Sequence, residues 1–257
     1  MRKIIVANWK MNPENAKRAK ELFTKVKKAL LRIKLRKGKG IKNIRNVEVV
    51  ICPPFVYIPI LAPLSSKALS VGGQNVFYKE KGAFTGEVSP MQLKSLKIRY
   101  VILGHSESRK YLNETDEIVN KKIKEVLAVK LKPILCVGEN KGEDKLKVLK
   151  KQITGGLMDV SAKEAGNIVI AYEPVWAIGT GYNCSVKETL SSVLFIRKVI
   201  ERLYSKEISE AIRILYGGSV NYKNSALYIK KGGVSGLLVG KDSLNAKDFI
   251  KMVSNIN

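Results

Sequence analysis

The sequence predicts an α/β protein in which eight parallel strands close into a single (β/α)8 barrel. Short runs of β-branched residues recur eight times, and a longer stretch with helical periodicity follows each of them. The runs are apolar throughout rather than alternating, which is typical of parallel strands covered on both faces. A length of 257 residues is also normal for one such barrel, so we expect a single domain over residues 1–257.

The predicted strands are Ile4–Trp9, Val47–Cys52, Leu69–Gln74, Tyr100–Gly104, Pro133–Gly138, Ile168–Glu173, Ile212–Gly217 and Gly236–Gly240. Between the first two strands, apolar residues recur at helical spacing from Ala16 to Ile33, which predicts a helix with one buried face. The basic, glycine-containing segment Arg36–Asn43 is predicted to be a surface loop. An open, doubly wound sheet is the alternative, but the glycine-rich turn that would favour it is absent after the first strand.

Helix starts are marked by residues that cap the first turn. Ser185 and Glu188 have the spacing of a capping box. Ser89 precedes a proline at the first helical position, and Thr115 precedes two acidic residues. Asn245 is predicted to cap the final helix.

Composition and charge limit the class of protein. No apolar run approaches the roughly 18 residues that a membrane helix needs, and the first strand is too short for a signal peptide, so we expect a cytoplasmic protein. The three cysteines lack metal-knuckle spacing and are predicted to be reduced, with Cys52 and Cys136 in the core. With a single histidine and no His/Cys cluster, no transition-metal site is expected.

The charge is unusual, because 47 basic and 22 acidic residues leave a net charge of +25. Ten basic residues and no acidic ones lie between Lys25 and Arg45. Such a field attracts anionic substrates and allows nucleic-acid binding, but no nucleic-acid motif accompanies it. We therefore interpret the surplus as a lysine-rich surface and do not expect nucleic acid as a partner.

Polar residues fall at the predicted carboxyl ends of strands, where barrel enzymes carry their catalytic groups. The set comprises Asn8, Lys10, His105 and Glu173. A carboxylate can remove a proton from a carbon next to a carbonyl, and an imidazole and an ammonium can stabilise the resulting enediolate. This set is suited to aldose–ketose isomerisation.

Glycine-rich turns follow the last two strands, at Gly217–Ser219 and Gly240. Backbone N–H groups in such turns can face an anion without a Cβ in the way. The turns therefore predict a phosphate site, and the substrate is expected to be a small phosphorylated sugar.

These residues stand in segments that resemble the triosephosphate isomerase family over nearly the whole chain. The segments are ANWKMN at 7–12, QNVFYKEKGAFTGEVSP at 74–90, GHSESR at 104–109, YLNETDE at 111–117, PILCVGE at 133–139, AYEPVWAIGTG at 171–181 and YGGSV at 216–220. The resemblance implies a TIM barrel and a cofactor-free isomerase of glycolysis and gluconeogenesis that interconverts dihydroxyacetone phosphate and D-glyceraldehyde 3-phosphate.

The resemblance also implies roles. Glu173 matches the general base, His105 the neutral imidazole, Lys10 the ammonium and Asn8 a polar partner of the site. Phosphate-binding positions are Gly179, Ser219, Gly240 and Lys241, and supporting positions are Ser106, Glu107 and Tyr216. The mobile lid comprises Pro174, Val175, Trp176, Ala177, Ile178, Gly179, Thr180 and Gly181. A homodimer is implied through the loop Gln74–Pro90, with Gln74, Asn75 and Thr85 at the interface.

The chain departs from the family pattern at three places. Ser108 replaces an arginine, Lys241 replaces a glycine, and Tyr182–Cys184 replaces the usual far hinge of the lid. Two other functions stay open from the residues alone: another phosphosugar barrel enzyme, such as a phosphoribosyl isomerase, and a polyanion-binding protein on an enzyme fold.

Overall fold

The computed structural model describes residues 2–35 and 46–256, and these contain one sheet of eight parallel strands. The strands are β1 (Lys3–Asn8), β2 (Val47–Cys52), β3 (Leu69–Val71), β4 (Tyr100–Leu103), β5 (Lys132–Val137), β6 (Val169–Tyr172), β7 (Arg213–Tyr216) and β8 (Gly236–Val239). The helices are α1 (Ala16–Leu35), α2 (Ile58–Leu61), α3 (Pro90–Ser95), α4 (Ser106–Tyr111), α5 (Asp116–Ala128), α6 (Lys145–Gly156), α7 (Ala162–Ala165), α8 (Val186–Leu203), α9 (Lys206–Ala211), α10 (Ser225–Lys231) and α11 (Ala246–Asn255).

Neighbouring strands pair in the order β3-β2-β1-β8-β7-β6-β5-β4. The first and last strands of this order, β3 and β4, are joined through Gly73, which lies just after β3. Its N–H donates to the carbonyl of Tyr100 at 2.8 Å, and its carbonyl accepts from the N–H of Ile102 at 3.0 Å. The sheet is therefore a closed barrel, as predicted.

The core has two layers because successive side chains of a strand point to opposite faces. In β1, Ile4 and Val6 point into the barrel, whereas Ile5 and Ala7 pack against the helices. The inner layer contains Ile4, Val6, Val50, Cys52, Tyr100, Ile102, Ile134, Cys136, Val169, Ala171, Leu215 and Leu238. The barrel interior is thus filled by side chains, and ligands have room only at its mouths.

The predicted strand positions are confirmed, but several boundaries are wrong. Six of the predicted strands end one residue too late, and the third, Leu69–Gln74, ends at Val71. After Val71, Gly72 donates to β2 and Gly73 pairs with β4. Because these two residues bond to different neighbouring strands, neither continues the regular strand pairing of β3. The predicted loop Arg36–Asn43 lies outside the described residues.

The predicted helix caps are confirmed. Ser89 and Ser185 each form a capping box with the residue three positions on, and Thr115 accepts from the N–H of Ile118. Asn245 accepts from two N–H groups of α11. All three cysteines are free and buried. Among the described helices, none is long and apolar enough to cross a membrane.

The inner layer gives a test of the fold. Leu215→Ala leaves a cavity in the closed barrel, and we expect it to lower the free energy of unfolding by about 2–5 kcal/mol. Leu194→Ala, at a position on α8 that is 58% exposed, is the matched control and should cost about 0.5 kcal/mol. Denaturant unfolding measures both. Equal losses in the two variants would contradict a packed barrel interior.

Candidate active site

A cavity of about 670 Å³ opens at the carboxyl ends of the strands. Its wall brings together Asn8, Lys10, His105, Glu173 and Ser219, which come from four different strand ends. The glycine turns and Lys241 line the same cavity. Barrel closure therefore places the polar residues that the sequence singled out around one space.

Lys10 lies in a strained turn directly after β1, with a backbone φ of 52°. Two side chains hold this turn: Asn8 accepts from the N–H of Lys10 at 3.0 Å, and Gln74 donates to its carbonyl at 2.8 Å. The Lys10 ammonium pairs with the carboxylate of Glu107 at 2.5 Å. Fixed in this way, its positive charge faces the cavity.

His105 caps α4 and is buried, with 5% of its surface exposed. Its Nδ1 atom accepts a hydrogen bond from the backbone N–H of Glu107 at 3.2 Å. Its Nε2 atom lies 3.4 Å from Oε1 of Glu173. The ring therefore presents Nε2 to the cavity and to the carboxylate.

Two opposing effects act on the pKa of His105. Burial lowers it, whereas the carboxylate of Glu173, with a smaller contribution from Glu107, raises it, and the net direction is upward. A doubly protonated ring, however, could not accept the hydrogen bond at Nδ1, and a cation at the start of a helix opposes the helix dipole. From the hydrogen bonds we assign a neutral ring with its proton on Nε2.

Glu173 follows β6 directly and is 3% exposed. Its side chain packs on the backbone of Gly217, where a Cβ would come within 2.6 Å of the Glu173 Cγ atom. The Oε2 atom is buried and has no hydrogen-bond partner in the described part of the chain. A buried acceptor of this kind is available to a proton on a bound substrate.

The phosphate-binding positions of the prediction surround the same cavity. Gly179 has a φ of 70°, a conformation that glycine adopts readily. Ser219, Gly240 and the exposed Lys241 line the same cavity. The sequence reasoning missed Asp242, whose carboxyl also lines the wall and whose pKa burial raises.

The segment Pro174–Gly181 forms one wall of the cavity and includes a short 3-10 helix, Val175–Ala177. The indole N–H of Trp176 donates to the carboxylate of Glu139 at 3.0 Å. The carbonyl of Ala177 accepts from both the backbone and the hydroxyl of Ser219, at 3.2 and 2.6 Å. The predicted lid is therefore held by residues that follow β5 and β7.

Comparison with known proteins agrees with this geometry. The sequence model of the triosephosphate isomerase family matches residues 3–256. The chain belongs to the triosephosphate isomerase family. It is 42% identical to the triosephosphate isomerase of Alkaliphilus oremlandii, over 99% of this chain and 100% of that protein. It is 41% identical to the one from Clostridium tetani, over 99% and 97%, and 42% identical to the one from Dictyoglomus thermophilum, over 99% and 99%.

The far hinge of the lid, where this chain departs from the triosephosphate isomerase pattern, is clamped by two tyrosines. The hydroxyl of Tyr216 accepts from the N–H of Cys184 at 3.1 Å, and the hydroxyl of Tyr228 donates to its carbonyl at 2.5 Å. The side chain of Asn183 donates to Tyr228 at 2.8 Å, and the two tyrosine rings stack with centroids 4.1 Å apart. Burial raises the pKa of the Cys184 thiol to about 11, so this thiol stays protonated.

The other departures leave the site's contacts in place. Ser108 lies beside Arg109, which keeps an ion pair with Asp116 at 2.6 Å and donates to the carbonyl of Gly104. Ser106 and Glu107 begin α4, and Ser106 lines a neighbouring cavity of about 550 Å³ that also reaches Glu173.

The predicted interface residues have different surroundings. Gln74 contacts the Lys10 turn within its own chain, and Asn75 accepts from the buried ammonium of Lys122 at 3.0 Å. Thr85 is exposed near the tip of the loop. Its place in an interface stays a prediction.

Sequence reasoning missed Glu139 and Tyr228 as partners of the lid. Glu139 carried a signal, since it stands two residues after the end of β5, as His105 and Lys10 stand two residues after their strands. Tyr228 carried none, because it lies in the middle of α10 and its role depends on stacking against Tyr216.

The hinge clamp generates a prediction. Tyr228→Phe removes a buried hydrogen bond to the Cys184 carbonyl, worth about 1 kcal/mol, and should accelerate hydrogen exchange at the hinge about fivefold. Tyr182→Phe removes the same hydroxyl from a side chain that is 78% exposed and is the matched control. Exchange measured on hinge peptides by mass spectrometry separates the two. Identical exchange in both variants would show that Tyr228 does not hold the hinge.

Proposed function

We propose that this chain interconverts dihydroxyacetone phosphate and D-glyceraldehyde 3-phosphate, without a cofactor, in glycolysis and gluconeogenesis. Family membership supports the substrate and reaction. The observation that carries the proposal is the facing pair His105 and Glu173, with a polarising N–H group 3.4 Å from a buried carboxylate. We also propose a single domain over residues 1–257 and a cytoplasmic location, where these triose phosphates are metabolised.

The carboxylate of Glu173 removes one of the two protons on C1 of dihydroxyacetone phosphate, the carbon next to the carbonyl. The electron pair of the broken C–H bond forms the C1–C2 double bond, and the C2 carbonyl oxygen receives the negative charge. Glu173 returns the proton to C2, and a proton moves between the two oxygens, giving the aldose. Because Oε2 of Glu173 has no hydrogen-bond partner among the described residues, this oxygen enters the step without first breaking a hydrogen bond.

Charge on the substrate oxygen is stabilised by His105 and Lys10. The neutral imidazole donates from Nε2, and its other nitrogen is fixed by the N–H of Glu107, so its orientation needs no change during the reaction. The ammonium of Lys10 supplies a positive charge beside the same oxygen, with Asn8 holding the turn that carries it. Both donors are in place before the charge develops, which lowers the cost of the step.

The phosphate is held by the N–H groups of Gly179 and Gly240 and by that of Ser219, which must first leave the carbonyl of Ala177, with Lys241 adding charge at the mouth. Closure of Pro174–Gly181 over the substrate excludes water, which strengthens these electrostatic interactions and prevents loss of phosphate from the enediolate. Trp176 and Ala177 anchor the lid through Glu139 and Ser219. The +25 charge of the chain attracts this anionic substrate, and nucleic acid is not part of the proposal.

A homodimer formed through the loop Gln74–Pro90 completes the proposal. The loop is exposed around Thr85, and its base is closed by a hydrogen bond from Phe77 to Val88 at 2.8 Å. Gln74 joins this loop to the Lys10 turn, so a partner that fixes the loop also steadies the ammonium.

The catalytic assignment is tested with a coupled assay on glyceraldehyde 3-phosphate. Glu173→Asp retracts the carboxylate by about 1 Å and should lower kcat about 100-fold, because proton transfer depends on a near-attack distance. Glu143→Asp makes the same change at an exposed carboxylate on the same rim and should leave kcat unchanged. Full activity in Glu173→Asp would exclude Glu173 as the base. Background turnover by the folded parent chain would refute the activity itself.

The dimer is tested by gel filtration with light scattering. Thr85→Arg places a charge at the proposed interface and should shift the protein from dimer to monomer and reduce kcat, since burying an unpaired charge is costly. Ser191→Arg adds the same charge to an exposed position of α8 and should leave the dimer intact. A parent protein that elutes as a monomer would contradict the proposal.

A further inference from the structure

The opposite mouth of the barrel, where the strands begin, is lined with cations. A basic residue stands at or beside the start of five described strands: Arg2 and Lys3 at β1, Lys67 near β3, Arg99 before β4, Lys132 in β5 and Arg213 in β7. Because the strands are parallel, all of them begin at the same end of the barrel, and these basic residues therefore lie together at that end. This face is distinct from the catalytic rim.

The floor of this mouth is a buried, hydrogen-bonded group. Arg213 pairs with the carboxylate of Glu48 at 3.1 Å and donates to the hydroxyl of Tyr100 at 2.8 Å. The same hydroxyl donates to Glu48 at 3.0 Å. The single carboxylate here is thus used by Arg213, and the group forms a fixed polar floor.

Above this floor lies a cavity of about 280 Å³ whose wall includes Arg2, Arg99, Lys132 and Arg213. Glu48 is the only acidic residue in that wall, against four cations. Among the ion pairs of residues 2–35 and 46–256, none involves Arg2, Arg99 or Lys132. Three cations without an ion pair to a described residue therefore line one small cavity, where the carboxylate of Glu48 is already paired with Arg213.

Lys132 is the half-buried member of the three, whereas Arg2 and Arg99 are exposed. Burial lowers the pKa of Lys132, repulsion from Arg213 lowers it further, and attraction by Glu48 partly opposes them. A bound anion would offset the repulsion between the cations. One half-buried and two exposed cations, of which Arg2 also donates to the carbonyl of Val47 at 3.3 Å, fit a small anion of several charges better than a single carboxylate.

We propose that this cavity, which we name the base site, binds a small polyvalent oxyanion of the pyrophosphate type, free or as the diphosphate group of a nucleotide. Arg99, Lys132 and Arg2 supply its donors, and the Arg213–Glu48 pair forms its floor. The packed inner core separates the base site from the catalytic cavity. The two sites can therefore be filled at the same time.

The test is calorimetric titration with the catalytic cavity first saturated with glycerol 3-phosphate, a substrate-sized phosphate that lacks the carbonyl. Binding of glycerol 3-phosphate is measured separately, so failure of the catalytic assignment is seen on its own. Pyrophosphate and adenosine diphosphate are then titrated in parallel. We expect one binding event for each ligand. Equal affinities for pyrophosphate and adenosine diphosphate would show that the diphosphate group alone is recognised. Tighter binding of adenosine diphosphate would show that the site recognises a nucleotide.

Lys132→Met removes the half-buried charge and should weaken pyrophosphate binding about tenfold, the effect of losing one charge-assisted hydrogen bond. Arg99→Gln removes a charge at an exposed position of the same cavity and should weaken pyrophosphate binding similarly. Lys198→Met removes the same charge from an exposed position of α8 outside the cavity and should change affinity less than about twofold.

Three outcomes would overturn the proposal. One is the absence of any pyrophosphate binding while glycerol 3-phosphate fills the catalytic cavity. Another is equal affinity in Lys132→Met and Lys198→Met. The third is a lowered Tm in Lys132→Met and Arg99→Gln with unchanged pyrophosphate affinity, which would show that these cations only neutralise helix carboxyl ends.

Discussion

Closure of the barrel is the constraint on which the site depends, and it is made by the hydrogen bonds of Gly73 to β4. Without them the sheet would have two open edges, and β4, which leads into His105, would lie at one of them. With them, the carboxyl ends of eight strands form one ring. His105 and Glu173 then face each other although their strands are separated by β5.

The closed arrangement of strand ends also brings together the charged residues that hold one another in position. Lys10 is a cation in a strained turn, balanced by Glu107, and the backbone of that same glutamate fixes the ring of His105. One residue at the start of α4 thus holds two donors in position. Glu173 gains its close packing from Gly217, which no other residue could replace without moving the carboxylate. The geometry is preorganised by backbone contacts at His105 and Glu173 and by side-chain contacts at Lys10.

The sequence predicts the barrel and the convergence of polar residues well, because both follow from periodicity and from the shared direction of parallel strands. The run Val47–Cys52 is confirmed to the residue. The end of β3 is wrong because pairing of Gly72 and Gly73 with different neighbours is a tertiary property. The neutral tautomer of His105 depends on one N–H contact, which composition and spacing do not encode.

The same limit applies to contacts between distant helices and loops. The clamp of Cys184 by Tyr216 and Tyr228 joins three chain segments, and the sequence marks the hinge only as a departure. From the sequence alone, the cations at the starts of the strands cannot be distinguished from the rest of a lysine-rich surface. Only the closed barrel gathers Arg2, Arg99 and Lys132 around one cavity.

The central claim is that a neutral imidazole with its proton on Nε2 faces the carboxylate of Glu173. Because the chain has a single histidine, nitrogen-15 NMR of the labelled protein reports this ring without further assignment. At neutral pH we expect one nitrogen shift typical of a protonated Nε2 and one typical of an unprotonated, hydrogen-bonded Nδ1. Two shifts typical of a doubly protonated imidazolium would contradict it.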